Sequence, residues 1–286
     1  MSARIAAVIV VYHPGVILKE CIAAAQADGE IEEIVLVDNG SDAAEAALMR
    51  YAAGEDARIA IVSGQGNIGF AAGCNLGAAR TKGAQLLFLN PDVVIDTGAA
   101  GRLSQTADSA ARRPCIVGGV LTDAGGREDR GCRRARVTPW RAFVSFSGLE
   151  ALGLKSAHRH REPMPNAAVE TGAVSGAMML LPRADFEALG GFDEGYFLHV
   201  EDIDLCRRAE AAGGIVLFEP RARGRHARST SAAPRAFVER HKARGFARYF
   251  RKFARGPMER AGAALIGLAL IVILPLRAHL RPGSEG

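Results

Sequence analysis

Runs of apolar residues with strand character alternate with helical patterns along the first hundred residues of the chain. The apolar runs, rich in Val, Ile and Leu, predict buried strands at residues 5–12, 33–38, 58–62 and 85–90. The stretches between these runs predict helices near residues 16–28, 41–53 and 70–82. A β-α-β series of this kind predicts an α/β fold with a Rossmann-like, mostly parallel central sheet and flanking helices.

Polar and glycine residues follow the predicted strands directly. Ligands of open parallel sheets bind beyond the carboxyl ends of the strands, so these residues are the first candidates for a site. They are Tyr12, Asp38, the glycine-rich stretch 64–69, Asn90 and Asp92.

A pair of acids, Glu201-Asp202, begins a predicted helix that ends near Ala212, before the stop signal Gly213. Helical spacing places Asp202 on the apolar stripe, which should face the core, and Asp204 and Arg208 on the other side. The apolar stripe comprises Leu198, Leu205, Cys206 and Ala209. Two interpretations remain open: an acidic first turn that the helix dipole favours, or a general base at the edge of a cleft.

The glycine-rich stretch 64–69 reads Gly-Gln-Gly-Asn-Ile-Gly and matches G-x-G-x-x-G between a strand and a helix. It is compatible with a dinucleotide site, or with backbone N–H groups that cradle a diphosphate. Asp38 can accept hydrogen bonds from a ribose or a pyrimidine base, or cap the next helix. Asp92 offers a hard oxygen ligand for Mg²⁺ or Mn²⁺, or completes a turn after Pro91.

The second half of the chain is less regular. Residues 123–165 are rich in Gly, Arg and Pro and predict a long excursion, which we interpret as a mobile acceptor loop. Strand character returns over residues 169–181, around Ser175-Gly176-Ala177, and again over 215–219. His226 follows that last strand and is either a metal ligand or a surface histidine among arginines.

Charge separates the chain into two parts. Residues 1–220 carry more acidic than basic side chains, whereas residues 221–286 carry 15 Lys and Arg against 3 Asp and Glu. The basic tail first predicts an amphipathic helix over residues 235–255, with Phe246, Phe250 and Phe253 on one face. That pattern is typical of a helix at the inner face of the cytoplasmic membrane.

A charge-free segment of sixteen residues, 261–276, follows that helix. A straight membrane span needs about 20 apolar residues, so a shallow or re-entrant insertion is favoured over a full span. A helix that packs on the core is the alternative. The basic tail also permits nucleic-acid binding, but the adjoining apolar segment favours lipid, and no nucleic-acid partner is expected.

Composition narrows the compartment and the class of site. The five cysteines are odd in number and form no C-x-x-C pair, which argues against a disulfide framework or a zinc site and favours a reducing compartment. The first apolar run is too short and too β-branched for a signal peptide. We therefore expect a cytoplasmic protein, attached peripherally or shallowly to the inner membrane through its tail.

Taken in order, several strings resemble glycosyltransferase family 2, the inverting enzymes of the A-type fold, over residues 4–230. They are VIVVYHPG, VDNGS, GNIGFAAGCNLG, FLNPDV, VSGAMMLLPR, GGFDEGYFLHVEDIDLCRR and GRHARSTS. The strings NPD and FLHVEDIDL look most like bacterial rhamnosyltransferases and galactofuranosyltransferases that build surface glycans. The resemblance implies a transferase domain at 1–230 and a membrane-associating segment at 231–286.

The resemblance also implies roles for residues. It makes Asp202 the catalytic base, with Glu201 as a neighbour that shapes its pKa or touches the acceptor, and Asp92 and His226 the ligands of Mg²⁺ or Mn²⁺. The implied nucleotide-sugar contacts are Tyr12, Asp38, Gly66, Asn67, Gly69, Asn75, Asn90, Ser175 and Gly176. Asn90 departs from the family pattern, because it replaces the first acid of the metal-binding D-x-D triplet.

The reaction that follows is transfer of a sugar, first rhamnose, from a nucleoside diphosphate to a hydroxyl of a glycan or lipid-linked acceptor, for cell-surface polysaccharide synthesis. Two other classes remain as alternatives. The glycine-rich stretch would also suit an NAD-type oxidoreductase, although that leaves Asp38 and Asp202 without roles. A non-catalytic membrane-associated scaffold is the second alternative, but such a scaffold would not need to keep Asp38, Asp92 and Asp202.

Overall fold

The computed structural model describes residues 4–147, 149–227 and 234–280, with residues 272–280 described by their backbone alone. A nine-stranded mixed sheet forms its centre, and a two-stranded sheet lies beside it. The strands are β1 Ile5–Val11, β2 Ile31–Asp38, β3 Ile59–Val62, β4 Gln85–Leu89, β5 Val93–Ile95, β6 Cys115–Thr122, β7 Arg133–Arg134, β8 Val169–Glu170, β9 Ala173–Val174, β10 Met178–Pro182 and β11 Ile215–His226.

The main sheet has the strand order β3-β2-β1-β4-β10-β6-β11-β5, and β8 pairs with β11. The four N-terminal strands are parallel, as the sequence predicted. β10 enters antiparallel between β4 and β6, and β11 runs parallel to β6. The predicted α/β fold with a mostly parallel, Rossmann-like core is confirmed, and β1 and β4 are completely buried, as expected of strands covered on both faces.

Helices cover both faces of the sheet and form the C-terminal segment. They are α1 Ile17–Ala27, α2 Ala43–Glu55, α3 Phe70–Ala78, α4 Ala99–Asp108, α5 Pro139–Ser147, α6 Arg183–Ala188, α7 Glu201–Ala211, α8 Arg235–Phe253 and α9 Pro257–Leu280, with a short 3₁₀ helix at Leu149–Leu152. All five cysteines are free and buried, in agreement with the expectation of no disulfide framework.

The excursion over residues 123–165 contains ordered elements that the sequence did not predict. β7 pairs antiparallel with β9, and α5 and the 3₁₀ helix follow it. The β7–β9 pairing places Arg134 opposite Ala173, just before the Ser175-Gly176 turn. This pairing brings Arg134 of the excursion next to the first turn of α7, where Asp202 lies.

Helix α7 is buried on more of its surface than its pattern suggested. Asp204 was placed on the side away from the core, yet it is 0% exposed, against 8% for Asp202. The reason is that α8 covers this side of α7: the Asp204 carboxylate accepts from the Tyr196 hydroxyl at 3.0 Å and pairs with Arg208 and Lys252, each at 2.7 Å. The prediction of an outward-facing Asp204 was wrong, because a single helix pattern does not show a second packing partner.

The apolar face of α8 packs on the rest of the chain rather than facing outward. Phe246 and Phe250 are buried, the Phe146 and Phe246 rings lie 5.2 Å apart, and the Tyr249 hydroxyl donates to the Val137 carbonyl at 3.3 Å. The predicted placement of this face at a membrane is therefore corrected, because protein already covers it.

The predicted apolar segment 261–276 falls within α9, whose side chains are described as far as Ile271. α9 is one continuous helix that packs on α8, where Gly267 approaches Ala247, and it buries Ala263 and Leu270. Its other face exposes Leu265 by 69% and Leu268 by 62%. Within the described ranges, no helix is both long enough and apolar enough to cross a membrane.

Candidate active site

A cleft of about 930 Å³ opens at the carboxyl ends of β1 and β4 and extends to α7 and the first half of α8. Ten of the residues predicted for the site line this cleft. They are Tyr12, Asn67, Gly69, Asn90, Asp92, Ser175, Gly176, Glu201, Asp202 and His226. Residues separated by more than 200 positions in the chain thus meet in one cavity.

Three predicted residues do not line the cleft. The Asp38 carboxylate accepts from the backbone N–H groups of Gly40 and Ser41, at 3.1 and 2.8 Å, and so shapes the turn after β2. Gly66 occupies a left-handed turn position, with φ of 64°. Asn75 bonds both the N–H and the carbonyl of Phe192, each at 2.9 Å, which anchors the loop before α7.

Asn39 organises the glycine-rich loop, a role that sequence reasoning missed. It is 2% exposed; its amide donates to the Asn67 side chain at 3.0 Å, and its oxygen accepts from the Ile68 N–H at 3.1 Å. At Gly69, with φ of 86°, a Cβ would lie 2.6 Å from the Phe197 carbonyl, which accepts from the Phe70 N–H at 2.8 Å. Only glycine permits this approach of the two loops.

The carboxylate of Asp202 is held by three donors. Oδ2 accepts from Arg134 and from the Gly176 N–H, both at 3.1 Å, and Oδ1 accepts from the Ile203 N–H at 2.8 Å. A Cβ at Gly176 would lie 3.1 Å from the Cβ of Asp202, so glycine is needed for this close approach. These contacts fix a carboxylate at the cleft wall, where the sequence placed a general base.

Glu201 has fewer partners than its neighbour among the described residues. It is 5% exposed, and its Oε2 is buried without a hydrogen-bond partner in the described structure. Desolvation, and then repulsion by Asp202, raise the pKa of this carboxyl well above its usual range. The surroundings of Glu201 therefore favour the neutral form of its carboxyl.

The two residues before α7 have strained backbones. His199 and Val200 both adopt left-handed conformations, with φ of 66° and 77°. For a β-branched residue such as Val200 this conformation is unusual and costs of the order of 1–3 kcal/mol. Both residues line the cleft, so the strain lies where the chain turns to present Glu201 and Asp202.

Asp92 and His226 lie together, as predicted, with a third acid, Asp129, beside them. His226 Nε2 is 3.3 Å from Asp92 Oδ1, and His226 Nδ1 is 2.9 Å from Asp129 Oδ2. Burial alone would lower the pKa of His226, but its bonds to Asp129 and Asp92 raise it to about 9. The strand pairing of His226 with Val93 sets the position of the ring next to Asp92.

This donor set fits a divalent cation that is completed by substrate. Asp92 supplies a carboxylate oxygen, and His226 supplies Nε2, the ring nitrogen that faces Asp92. Both residues line the cleft. Mg²⁺ commonly binds one or two carboxylates together with phosphate oxygens. A geometric group of three acids and histidines, His13, Asp42 and Glu45, lies elsewhere, but Asp42 and Glu45 there form the capping box of α2.

Arg134 and Asp129 were missed for a common reason. Both lie in the excursion over residues 123–165, which has no periodicity from which position could be predicted. The only available signal was composition, since an Arg-rich segment near acidic motifs suggests pairing. Lys242 and Arg235 of α8 also line the cleft, although the tail was predicted to form a separate segment.

Comparison with known proteins identifies the class. Residues 6–190 match the model for glycosyl transferase family 2, and the chain belongs to this family. It is a nucleotide-sugar glycosyltransferase, and the oxidoreductase alternative is not favoured. The chain is 27% identical over 267 residues to the N-acetylglucosaminyl-diphospho-decaprenol L-rhamnosyltransferase of Mycobacterium tuberculosis, covering 84% of this chain and 82% of that protein.

A second relative is the rhamnosyltransferase WbbL of Escherichia coli K12, 28% identical over 213 residues, with 71% of this chain and 75% of that protein covered. Among solved structures, GalNAc-T7 with UDP, GalNAc and Mn²⁺ superposes with a TM-score of 0.63 and 16% identity, over 91% of this chain and 51% of that one. The mannosyltransferase PcManGT of Pyrobaculum calidifontis, with GDP-Man and Mn²⁺, superposes with a TM-score of 0.61 and 16% identity. The superposition covers 99% of this chain and 77% of that one. These two share the fold.

Proposed function

We propose that this enzyme transfers rhamnose, with inversion, from a nucleoside diphosphate to a hydroxyl of a lipid-linked glycan acceptor. The observation that carries the proposal is the Asp202 carboxylate, fixed by Arg134 and Gly176 in the cleft that the family motifs line. The likeness to two rhamnosyltransferases supports the sugar, and the diphospho-decaprenol named for one of them supports the acceptor class. The family and these two relatives support a part for the reaction in cell-surface polysaccharide synthesis.

The residues of the cleft divide the chemistry among them. Asp202 takes the proton of the acceptor hydroxyl as that oxygen attacks the anomeric carbon from the side opposite the leaving diphosphate. Arg134 and the Gly176 N–H keep the carboxylate in one orientation, and the raised pKa of the adjacent Glu201 disfavours a second negative charge beside it.

The loop of Asn67 and Gly69 and the residues Asn90 and Asp92 line the same cleft as Asp202. We place the donor there, with Asp38 close to the base through the turn after β2. Asp92 and His226 would hold Mn²⁺ or Mg²⁺, which when bound neutralises charge on the departing diphosphate.

A donor screen tests this proposal. Purified enzyme, Mn²⁺ and a short-chain GlcNAc-diphospho-lipid are incubated with nucleotide sugars, and the released nucleoside diphosphate is measured. We expect acceptor-dependent release from deoxythymidine-diphosphate rhamnose and much less from uridine-diphosphate or guanosine-diphosphate sugars. Acceptor-dependent release from another sugar alone would overturn the rhamnose assignment.

We further propose that α9 attaches the enzyme to the inner face of the cytoplasmic membrane. The exposed face of α9 carries Met258, Leu265, Leu268 and Ile271, with exposed fractions between 42% and 88%. Exposed arginines lie close by in the chain at Arg251, Arg255 and Arg260. An apolar helix face with a basic border favours the surface of a bilayer containing anionic lipids.

Vesicle flotation tests the attachment. The protein should float with phosphatidylglycerol vesicles and lose binding when the salt concentration is raised, because exposed charges are screened. The double variant L265E/L268E should remain with the soluble fraction. Val16, 92% exposed on another part of the surface, provides the matched control V16E, which should float normally. Equal flotation of L265E/L268E and the unsubstituted protein would contradict the attachment through α9.

A further inference from the structure

The ring of His226 is held between two carboxylates that contact different nitrogens. Asp129 Oδ2 lies 2.9 Å from Nδ1, and Asp92 Oδ1 lies 3.3 Å from Nε2. The two acids are each 8% exposed, and all three side chains line the cleft. Nδ1 of His226 therefore contacts Asp129, a residue of the excursion over 123–165 that belongs to none of the family motifs.

The backbone fixes the carboxylate of Asp129. Its Oδ1 accepts from the Gly131 N–H at 2.8 Å, which leaves Oδ2 for the ring of His226. The Asp129 N–H donates to the Leu121 carbonyl at 2.7 Å, and the Cys132 N–H donates to the Asp129 carbonyl at 2.9 Å. Asp129 is thus attached to the end of β6, whose neighbour β11 carries His226.

This geometry determines which ring nitrogen is presented to the cation. A carboxylate at Nδ1 accepts the Nδ1 hydrogen, so the lone pair of a metal-binding His226 resides on Nε2, the side where Asp92 lies. Histidine ligands commonly donate their other N–H to a carboxylate in this way, and loss of that partner typically costs 10–100-fold in metal affinity.

We propose that Asp129 is a positioning residue of the divalent-cation site, which orients His226 so that Nε2 and the Asp92 carboxylate bind the same ion. The inference rests on the proposed function in one respect, namely that Asp92 and His226 hold the metal. It adds a role for a residue outside the family motifs, and it explains why the excursion returns to the sheet at this point.

Mn²⁺ titration followed by electron paramagnetic resonance tests the proposal without an activity assay. The full chain is titrated in the presence of deoxythymidine diphosphate, which supplies the phosphate oxygens. We expect Asp129→Ala to weaken Mn²⁺ binding 10–100-fold and Asp129→Asn, whose amide oxygen can still accept from Nδ1, to recover part of that loss. Asp123→Asn, in the exposed turn of the same excursion, is the matched control and should bind as the unsubstituted protein does.

Electron spin echo modulation supplies a second readout that simple loss of stability would not reproduce. The ¹⁴N coupling of bound Mn²⁺ should be present in the unsubstituted protein, absent in His226→Ala, and reduced in Asp129→Ala at saturating Mn²⁺. Unchanged affinity and unchanged coupling in both Asp129 variants, with binding lost in Asp92→Ala, would overturn the role of Asp129 alone. Absence of Mn²⁺ binding by the unsubstituted protein would overturn the metal site itself, whereas the donor screen judges sugar transfer separately.

Discussion

Glu201 and Asp202 are neighbours in the chain, yet their carboxyl groups have different surroundings. Asp202 is paired with Arg134 and two backbone N–H groups, whereas Glu201 is buried with an unpartnered oxygen and a raised pKa. The sequence identified the acid pair but not this division, because the division depends on Arg134, which lies 68 positions away.

Replacing Glu201 with Gln tests its neutral state. The folded-state pKa of Glu201 is raised, so the unfolded chain releases this proton first, and the unsubstituted protein loses stability as pH rises from about 5 to 8. The variant cannot ionise and avoids that loss. We expect the melting temperature of Glu201→Gln, relative to the unsubstituted protein, to increase over this range; a constant difference would indicate that Glu201 is charged.

At the scale of elements, the strands and helices of the first hundred residues follow their sequence pattern closely. Predicted strands at 33–38 and 58–62 correspond to β2, Ile31–Asp38, and β3, Ile59–Val62. Local periodicity suffices there because each element buries one continuous apolar surface against its neighbours. Local periodicity fails for β7, whose position depends on pairing with β9, and for α5, whose position depends on contacts with α9.

Helix α7 shows what periodicity cannot contain. Its second face is buried because α8 returns from the far end of the chain and provides Lys252 to the Asp204 carboxylate. Helix α8 also lines the cleft through Lys242, so the predicted boundary near residue 230 does not separate the tail from the site. That boundary otherwise remains a prediction.

The buried network at Asp204 should contribute to stability. Asp204→Ala removes the buried carboxylate that Arg208 and Lys252 share. Loss of one member of a buried ion pair costs up to about 3–5 kcal/mol, and we expect the low end of that range because Lys252 keeps its pair with Asp193. Urea unfolding measures this loss. The matched control is Glu187→Gln, which breaks an exposed pair with Arg183 and should cost less than about 1 kcal/mol. Equal effects of the two substitutions would show that the Asp204 network is not a stabilising one.

Across the whole molecule, charge and apolar surface are distributed unevenly. The acidic main part of the chain carries the cleft, and the basic tail provides both a wall of that cleft and the exposed face of α9. Under the proposed attachment through α9, the enzyme and a lipid-linked acceptor would meet at the same bilayer. The composition predicted the basic segment, but only the folded molecule shows that the apolar face of α8 is buried and that α9 has an exposed apolar face.

If Asp202 is the base of an inverting sugar transfer, product stereochemistry and rate should both report it in matched reactions of the unsubstituted enzyme and Asp202→Asn. Enzyme, Mn²⁺, β-linked deoxythymidine-diphosphate rhamnose and the GlcNAc-diphospho-lipid acceptor are combined, and the anomeric signal of the product is recorded by NMR. We predict an α-linked product, and Asp202→Asn should reduce its rate by about 10²–10⁴-fold while donor affinity is kept. A β-linked product, or full activity of Asp202→Asn, would contradict the account.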